Sequence, residues 1–174
     1  DASPKKRPQH RHDSSDSEDD ASPVKERPEA RKATTARVVV DITRARDLSE
    51  EHGMPNPFCV LSIVQLRDGR RLSDVRRTRV AKHTSNPVWQ RERFIFEAPI
   101  SIKELPKLRI EMFSFRTLRK ARLLGKAQVA LNGLEDGDNE ITVPIKLDTV
   151  KAGEVCATIS MTPSNEKHAA PDAD

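Results

Sequence analysis

The sequence predicts an all-β fold, an eight-stranded antiparallel β-sandwich with disordered tails at both ends. From Arg37 onward, short segments of alternating apolar and polar residues recur between turn residues, which is typical of antiparallel strands. Eight such segments fall within residues 36–163. Because each sheet formed from them would be apolar on one face only, two sheets must cover each other.

The eight predicted strands are separated by turn signals. They span residues 37–42, 58–66, 72–81, 93–97, 108–115, 123–131, 140–147 and 154–161. The turn Arg-Asp-Gly-Arg at residues 67–70 predicts a hairpin that joins the second strand to the third. The last two strands alternate most regularly, with an aliphatic residue at every second position. Helix is expected only in two short connections, at residues 102–105 and 118–123.

Composition divides the chain into an arm, a domain and a tail. Residues 1–35 carry 8 basic and 8 acidic side chains, no aromatic residue and only Val24 as a large aliphatic residue. This arm cannot bury a core and is predicted to be disordered, as is the tail at residues 164–174. Residues 36–163 carry 22 basic and 16 acidic side chains, so the domain itself has a net charge of +6.

Three serines in the arm are candidate phosphorylation sites. Ser15 and Ser17 each have a carboxylate three residues later, which suits an acid-directed kinase, and Ser22 precedes a proline. Phosphorylation would make the arm strongly negative. Two interpretations of the arm stay open, a solvated linker and a segment that masks the basic domain.

Composition also excludes several classes of protein. No apolar run approaches the roughly 20 residues that span a bilayer, and the first residues are polar, unlike a signal peptide, so we expect a soluble or peripheral protein. Cys59 and Cys156 lie in alternating segments and no CxxC motif occurs, which predicts a reduced, buried pair in a cytosolic protein. The chain starts at Asp1 without Met, which indicates a fragment of a larger protein.

Neither catalysis nor nucleic-acid binding is expected. The five histidines are divided among the arm, the tail and two loops, with no assigned nucleophile or carboxylate pair nearby, so we predict no enzyme activity, cofactor or metal. The domain is basic, but aromatic residues make up only 3% of the chain and Tyr is absent. Few side chains are therefore available to stack on bases, and no nucleic-acid reader motif is present.

Five segments, in this order, resemble a C2 domain. Residues 38–48 are similar to its first strand and the following loop, and residues 53–60 stand where the family usually has Gly-x-Ser-Asp-Pro-Tyr. The most specific segment is Arg-Thr-Arg-Val-Ala-Lys-His-Thr-Ser-Asn-Pro-Val-Trp at residues 77–89, which resembles the Lys-Thr-x-Val…Asn-Pro-x-Trp signature. Gly125 fits the Ile-Gly position of the family, and Gly153 with Glu154 and Val155 fits its closing strand.

The resemblance covers nearly all of residues 36–163 and implies the permutation called type II, in which a strand is added last. One departure concerns the spacing after Trp89. The family places its first phenylalanine four residues after this tryptophan, whereas Phe94 and Phe96 follow it by five and seven residues. The extra residue within positions 90–93 predicts a bulge or a shifted register.

Many C2 domains hold calcium between two loops with five carboxylates, and the resemblance places the corresponding positions in this chain. They are Glu50, Asn56, Ser114, Arg116 and Arg122. Calcium requires six to eight oxygen ligands, and arginine donates hydrogen bonds but cannot coordinate a cation. Since only one carboxylate remains and two positions are arginines, we predict that this site binds no calcium.

Without calcium, contact with anionic lipid must use the protein's own cations, and two clusters offer them. The sheet cluster consists of Arg67, Arg70, Arg71, Arg76, Arg77, Arg79 and Lys82, against Asp68 and Asp74. Arg77 and Arg79 are predicted to project from one face of a strand, and they match the basic pair that grips the headgroup in phosphoinositide-binding C2 domains. Phe58 and Val60 depart from the tyrosine and lysine that the family pocket has there.

The loop cluster consists of Arg116, Arg119, Lys120, Arg122 and Lys126, beside Phe115 and Leu118. In the family this loop meets the bilayer. Two interpretations stay open: a basic loop whose apolar tip inserts into lipid, and a solvated loop whose apolar residues pack underneath.

Together these features predict a calcium-independent, membrane-targeting adaptor that binds anionic phospholipid or phosphoinositide headgroups through its basic sheet and loop surfaces. It would be cytoplasmic and peripheral to a membrane or the cytoskeleton. The alternative is a protein-docking module of a cytoskeletal, ciliary or trafficking scaffold, in which the same arginines bind an acidic protein segment.

Overall fold

The computed structural model describes residues 35–99 and 105–163. They form eight antiparallel strands: β1 (Thr35–Arg46), β2 (Pro57–Gln65), β3 (Arg76–Arg77), β4 (Arg93–Pro99), β5 (Pro106–Ser114), β6 (Arg122–Ala130), β7 (Gly137–Leu147) and β8 (Val150–Pro163). A single 3₁₀ turn, Leu131–Gly133, follows β6. The prediction of an all-β sandwich is confirmed.

The strands form two layers that are joined along one side. The first sheet has the order β4-β1-β8-β7 and the second has the order β6-β5-β2-β3. They connect through a single residue pair, Lys126 with Lys146. The last described strand, β8, lies between β1 and β7, which is the added final strand expected from the sequence.

The core lies between the two sheets, where alternate residues of each strand meet. Removing one such aliphatic side chain from water contributes about 1.5–3 kcal/mol, so these rows carry most of the fold's stability. The largest fully buried side chains are Ile42, Leu61, Ile63, Leu108, Ile110, Met112, Leu131, Ile145 and Ile159. Cys59 and Cys156 are also buried, as predicted, and desolvation raises the pKa of the Cys59 thiol, which therefore stays protonated at neutral pH.

Two ends of the sandwich can be distinguished from the strand directions. The loop end carries residues 47–56, residues 115–121 and the turn at residues 148–149. The opposite end carries the turn after β2, where Gly69 adopts a φ of 68° and donates its N–H to the carbonyl of Gln65. This turn is the predicted hairpin at residues 67–70.

The predicted third strand, residues 72–81, is wrong in extent, because only Arg76 and Arg77 pair as a strand. Side-chain hydroxyls replace the backbone ladder on both sides of β3. The Ile63 N–H donates to the hydroxyl of Ser73 over 2.8 Å, and the Cys59 N–H donates to the hydroxyl of Thr78 over 2.9 Å. The edge is therefore satisfied without regular strand geometry.

The short helix predicted at residues 118–123 is also wrong. Leu118 has a φ of 59°, which a right-handed helix cannot contain, and residues 117–118 form a turn before β6 begins at Arg122. The extra residue after Trp89 is accommodated at Arg91, where φ is 58°, so β4 keeps a continuous register with β1.

Other predictions lie outside the described residues. These are the helix at residues 102–105, of which only Leu105 is described and is not helical, the arm apart from Thr35, and the tail at residues 164–174. The candidate phosphorylation sites Ser15, Ser17 and Ser22 belong to this group.

Candidate functional site

A cleft of about 300 Å³ opens at the loop end, between residues 49–56 and residues 114–117. Asn56 joins its two walls. The Asn56 N–H donates to the Ser114 hydroxyl over 3.1 Å, and the Phe115 N–H donates to the Asn56 carbonyl over 2.8 Å. The Asn56 side chain accepts the His83 N–H over 2.8 Å, which ties the segment after β3 to the same cleft.

Four of the five positions that correspond to calcium ligands line this cleft: Asn56, Ser114, Arg116 and Arg122. Arg116 is held within its own loop, because its Nε and Nη2 donate to the carbonyl of Lys120 over 2.9 and 2.5 Å. Glu50, the single carboxylate of the five, is exposed and does not line the cleft. Two guanidinium groups thus stand at the cleft without an acidic side chain among its lining residues.

The apex of the loop cluster carries an apolar tip. Leu118 is fully exposed (100%), and Phe115 is 48% exposed. Packing beneath the loop, one of the two interpretations open from the sequence, does not occur at Leu118. Met54, 38% exposed, lies on the facing wall of the cleft and was missed from the sequence, because a single Met among polar loop residues gives no pattern.

The sheet cluster runs along the β3 edge of the second sheet. Arg67, Arg70 and Arg71 lie at the hairpin end, Arg76 and Arg77 on β3, and Lys82 at the loop end beside His83. All six side chains are exposed, and none forms an ion pair with another described residue. The sheet cluster therefore extends along the whole β3 edge, from the hairpin end to the loop end.

Arg77 and Arg79 are not the equivalent pair that the sequence predicts. Arg77 lies on β3 with its guanidinium carbon 5.8 Å from the centre of the Phe58 ring, which itself stacks on Phe113 at 5.7 Å. Arg79 lies beyond the strand, and its Nε donates to the carboxylate of Glu92 over 2.7 Å. The charge of Arg79 is thus compensated, whereas that of Arg77 stays available.

The outer face of the second sheet carries Lys107 and Arg109, two cations that sequence reasoning missed. One row across the strands reads Arg77, Val60, Glu111 and Lys126, because these are register partners. Lys107 and Arg109 precede Glu111 on the same face of β5, and Arg109 contacts Glu111 over 3.2 Å. Their alternation with Leu108 and Ile110 is visible in the sequence and would have identified them.

The described residues contain no group of three or more His, Cys, Asp or Glu side chains placed to hold a metal ion. The described residues, 35–99 and 105–163, contain no helix that is long and apolar enough to cross a membrane.

A comparison with protein families gives one match, the C2 domain, over residues 36–143. The chain belongs to the C2 domain family. C2 domains are general modules for binding membrane lipids or proteins, and the matched residues of this C2 domain include every strand from β1 to β6 together with both basic clusters.

Solved structures show the same fold at low identity. The C2A domain of a plant extended synaptotagmin 1 matches with a TM-score of 0.59 and 16% identity, covering 76% of this chain and 97% of that one. Human GIVD cytosolic phospholipase A2 matches with a TM-score of 0.61 and 16% identity over 76% of this chain, which spans only 16% of the enzyme. A C2 domain-containing protein from a putative elicitor-responsive gene matches with a TM-score of 0.58 and 20% identity, covering 78% and 95% of the two chains. No curated protein sequence matches this chain.

Proposed function

We propose that this C2 domain is a membrane-targeting adaptor that binds anionic phospholipid headgroups, including phosphoinositides, without calcium. The observation that carries the proposal is the loop apex, where a fully exposed Leu118 is followed directly by exposed Arg119 and Lys120. An aliphatic side chain flanked by cations suits the boundary between headgroups and acyl chains, because the apolar group enters the lipid while the cations meet phosphate.

The charge of the cleft supports calcium independence. Arg116 and Arg122 line it, whereas Glu50 lies outside its lining. Bringing a divalent cation between two guanidinium groups is unfavourable, and the remaining oxygen donors are mostly used, since those of Asn56 and Ser114 accept hydrogen bonds from neighbouring N–H groups.

Calcium titration of the protein is therefore expected to leave the cleft unchanged. In ¹H–¹⁵N spectra, the amide signals of Asn56, Ser114 and Arg116 should show no saturable shift up to millimolar calcium. Saturable shifts of these three signals at micromolar calcium would contradict this part of the proposal. Magnesium at the same ionic strength is the control for non-specific salt effects.

The expected affinity of one domain is modest. Each cation near an anionic surface contributes on the order of 1 kcal/mol, so three or four cations of one cluster give roughly 3–4 kcal/mol, a factor of a few hundred in binding. Such binding is reversible and screened by salt. Stable recruitment requires a second contribution, such as insertion of Leu118 or multivalency.

Co-sedimentation with vesicles tests the proposal. Neutral phosphatidylcholine vesicles are compared with vesicles that also contain phosphatidylserine or phosphatidylinositol 4,5-bisphosphate, all in a calcium chelator. We expect pelleting with both anionic compositions and none with the neutral one. An absence of pelleting with every anionic vesicle at low salt would overturn the proposal and favour the alternative, a protein-docking module of a cytoskeletal, ciliary or trafficking scaffold.

The same assay distinguishes the two arginines at the sheet edge. Arg77→Ala is expected to weaken binding about fivefold, because it removes an uncompensated cation from the outer face of the second sheet. Arg79→Ala combined with Glu92→Gln is the control and should change binding less than twofold, since it removes an ion pair and leaves the net charge unchanged. Equal losses in both variants would show that the Arg79–Glu92 ion pair opens at the membrane.

The proposal includes no catalytic step, cofactor or nucleic-acid partner, and it places the domain in the cytoplasm, peripheral to a membrane or the cytoskeleton. Two observations support this. His52 and His83 lie exposed on different loops, and their side chains form no hydrogen bond to another described residue. The two cysteines are free and buried, as suits a reducing compartment.

A further inference from the structure

Among the described residues, strand β4 is an open edge of the first sheet. It ends the strand order, and all seven of its residues, Arg93–Pro99, pair with β1 on one side only. The strand at the other end of the order, β3, is only two residues long. Exposed edges are usually shortened, bulged, or given prolines or charged side chains. Between Arg93 and Glu97, β4 is regular and has neither a bulge nor a proline, and its charges stand at the two ends of this stretch.

The unpaired backbone groups of this edge can be assigned from the hydrogen-bond alternation. The Ile42 N–H donates to the Glu92 carbonyl over 3.1 Å, and these residues stand one step before the register pair Asp41 with Arg93. Since hydrogen-bonded and non-hydrogen-bonded pairs alternate in an antiparallel ladder, the N–H and C=O groups of Arg93, Ile95 and Glu97 point away from β1.

The exposed side chains of the same three residues form a symmetric pattern. Ile95 lies at the centre, is 51% exposed, and has half-buried Val39 as its register partner on β1. Arg93 on one side makes a two-point contact with Asp41 at 3.1 and 3.2 Å, and Glu97 on the other side contacts Arg37 at 3.6 Å. A positive and a negative residue therefore flank the apolar centre at equal spacing.

We propose that β4 pairs with β4 of a second copy of this chain, in an antiparallel arrangement with a two-fold axis at Ile95. Ile95 then faces Ile95 of the second copy, and each Arg93 faces Glu97 of the other chain. The outward-pointing backbone groups form two hydrogen bonds at each of these three pairs. Each row of side chains across the dimer runs through β1 and β4 of one copy and then through β4 and β1 of the other. The middle row is Val39, Ile95, Ile95, Val39. One outer row is Asp41, Arg93, Glu97, Arg37, and the other outer row is the same sequence in reverse order.

The side chains select this register over its neighbours. Any register shifted by one residue would place the buried face of one β4 opposite the exposed face of the other. A shift by two residues places Ile95 opposite either Arg93 or Glu97 of the second copy, and it removes both Arg93–Glu97 pairs. Only the register centred on Ile95 joins opposite charges in both outer rows and aliphatic side chains in the middle one.

The arrangement has a consequence for membrane contact, and this consequence rests on the proposed function. The two-fold axis of an antiparallel pair is perpendicular to the sheet, so the outer faces of both second sheets, with their cations at Arg77 and Lys126, lie on the same side of the dimer. The two loop ends point in opposite directions. Dimerisation therefore doubles the sheet contact with one bilayer and supplies multivalency, but it allows only one Leu118 to enter that bilayer.

A charge-exchange experiment on the full chain tests the pairing in solution, without lipid. Sedimentation velocity should show the wild-type mass rising from 19.6 kDa towards twice that value, with a dissociation constant on the order of 10 µM, as expected for a small edge-to-edge interface. Arg93→Glu alone and Glu97→Arg alone each place like charges opposite each other and should weaken the homodimer at least tenfold. An equimolar mixture of the two variants restores both charge pairs and should dimerise as the wild type does.

Ile95→Lys and Leu147→Lys complete the design. The first places two lysines on the axis and should abolish the dimer, whereas Leu147 is an exposed aliphatic residue on β7, at the far side of the same sheet, and its substitution should leave the dimer intact. Circular dichroism of each variant verifies that it is folded. A wild-type chain that stays monomeric up to about 500 µM, a dimer that survives Ile95→Lys, or a mixture that fails to dimerise would each overturn the pairing. These results involve no vesicles, so they leave the lipid-binding proposal to its own test.

Discussion

Replacing both Arg119 and Lys120 with glutamate is expected to weaken binding to phosphatidylserine vesicles at least a hundredfold. Both side chains are exposed directly after the fully exposed Leu118. The substitution removes two attractions of on the order of 1 kcal/mol each and adds two repulsions of similar size. The measurement is the vesicle concentration at half-maximal binding, at low salt and without calcium.

The matched control for this charge reversal lies on the opposite sheet. Arg44→Glu together with Arg46→Glu changes the net charge by the same amount, and both residues are exposed on β1 of the first sheet. We expect the control to retain at least a third of the wild-type affinity, because only the long-range field changes. Similar losses in both double variants would show that net charge, and not the loop apex, determines binding.

Gly153→Ala is expected to lower the free energy of unfolding by about 3 kcal/mol. Gly153 has a φ of +121°, which other residues rarely adopt, and an added Cβ would lie 2.7 Å from the carbonyl oxygen of Arg46 and 3.1 Å from that of Asp47. These backbone atoms begin the loop at residues 47–56, so relief of the clash would also displace one wall of the cleft. Guanidinium denaturation followed by tryptophan fluorescence measures the loss.

Gly133→Ala serves as the control, because an added Cβ there would meet no atom within 4 Å. Its stability should stay within about 0.5 kcal/mol of the wild type. If Gly153→Ala is as stable as Gly133→Ala, the close approach of β8 to the end of β1 does not constrain the loop as the structure indicates.

The strands that the sequence predicts best are those that bury one face against the opposite sheet. Along Pro106–Ser114, buried residues alternate with half-buried ones without interruption, and the period of two is directly readable. The segment after β2 escapes such prediction, because Ser73 and Thr78 satisfy the neighbouring strand with their hydroxyl groups. A hydroxyl that replaces a backbone partner leaves no periodic trace in the sequence.

The sequence predicts which charged residues belong to the candidate site, but it does not predict their ion pairs and hydrogen bonds. The sequence identifies the cations of the sheet and loop clusters. It does not reveal the hydrogen bonds of Asn56, which join residues far apart in the chain at the cleft. The sequence could not show that Arg79 contacts Glu92, since this ion pair depends on the path of the chain beyond β3. Nor could the sequence show that Leu118 is fully exposed, because insertion and packing beneath the loop fit the same residues equally well.

We propose that this C2 domain contacts anionic membranes through its own cations and not through calcium. The most direct test is the equilibrium affinity of the full chain for vesicles containing phosphatidylserine, measured in a calcium chelator and again in 100 µM free calcium, each across a salt series on the order of 50 to 500 mM. The account predicts equal affinities in the two buffers and a parallel, steep decrease with salt. Binding that appears only when calcium is added would contradict it.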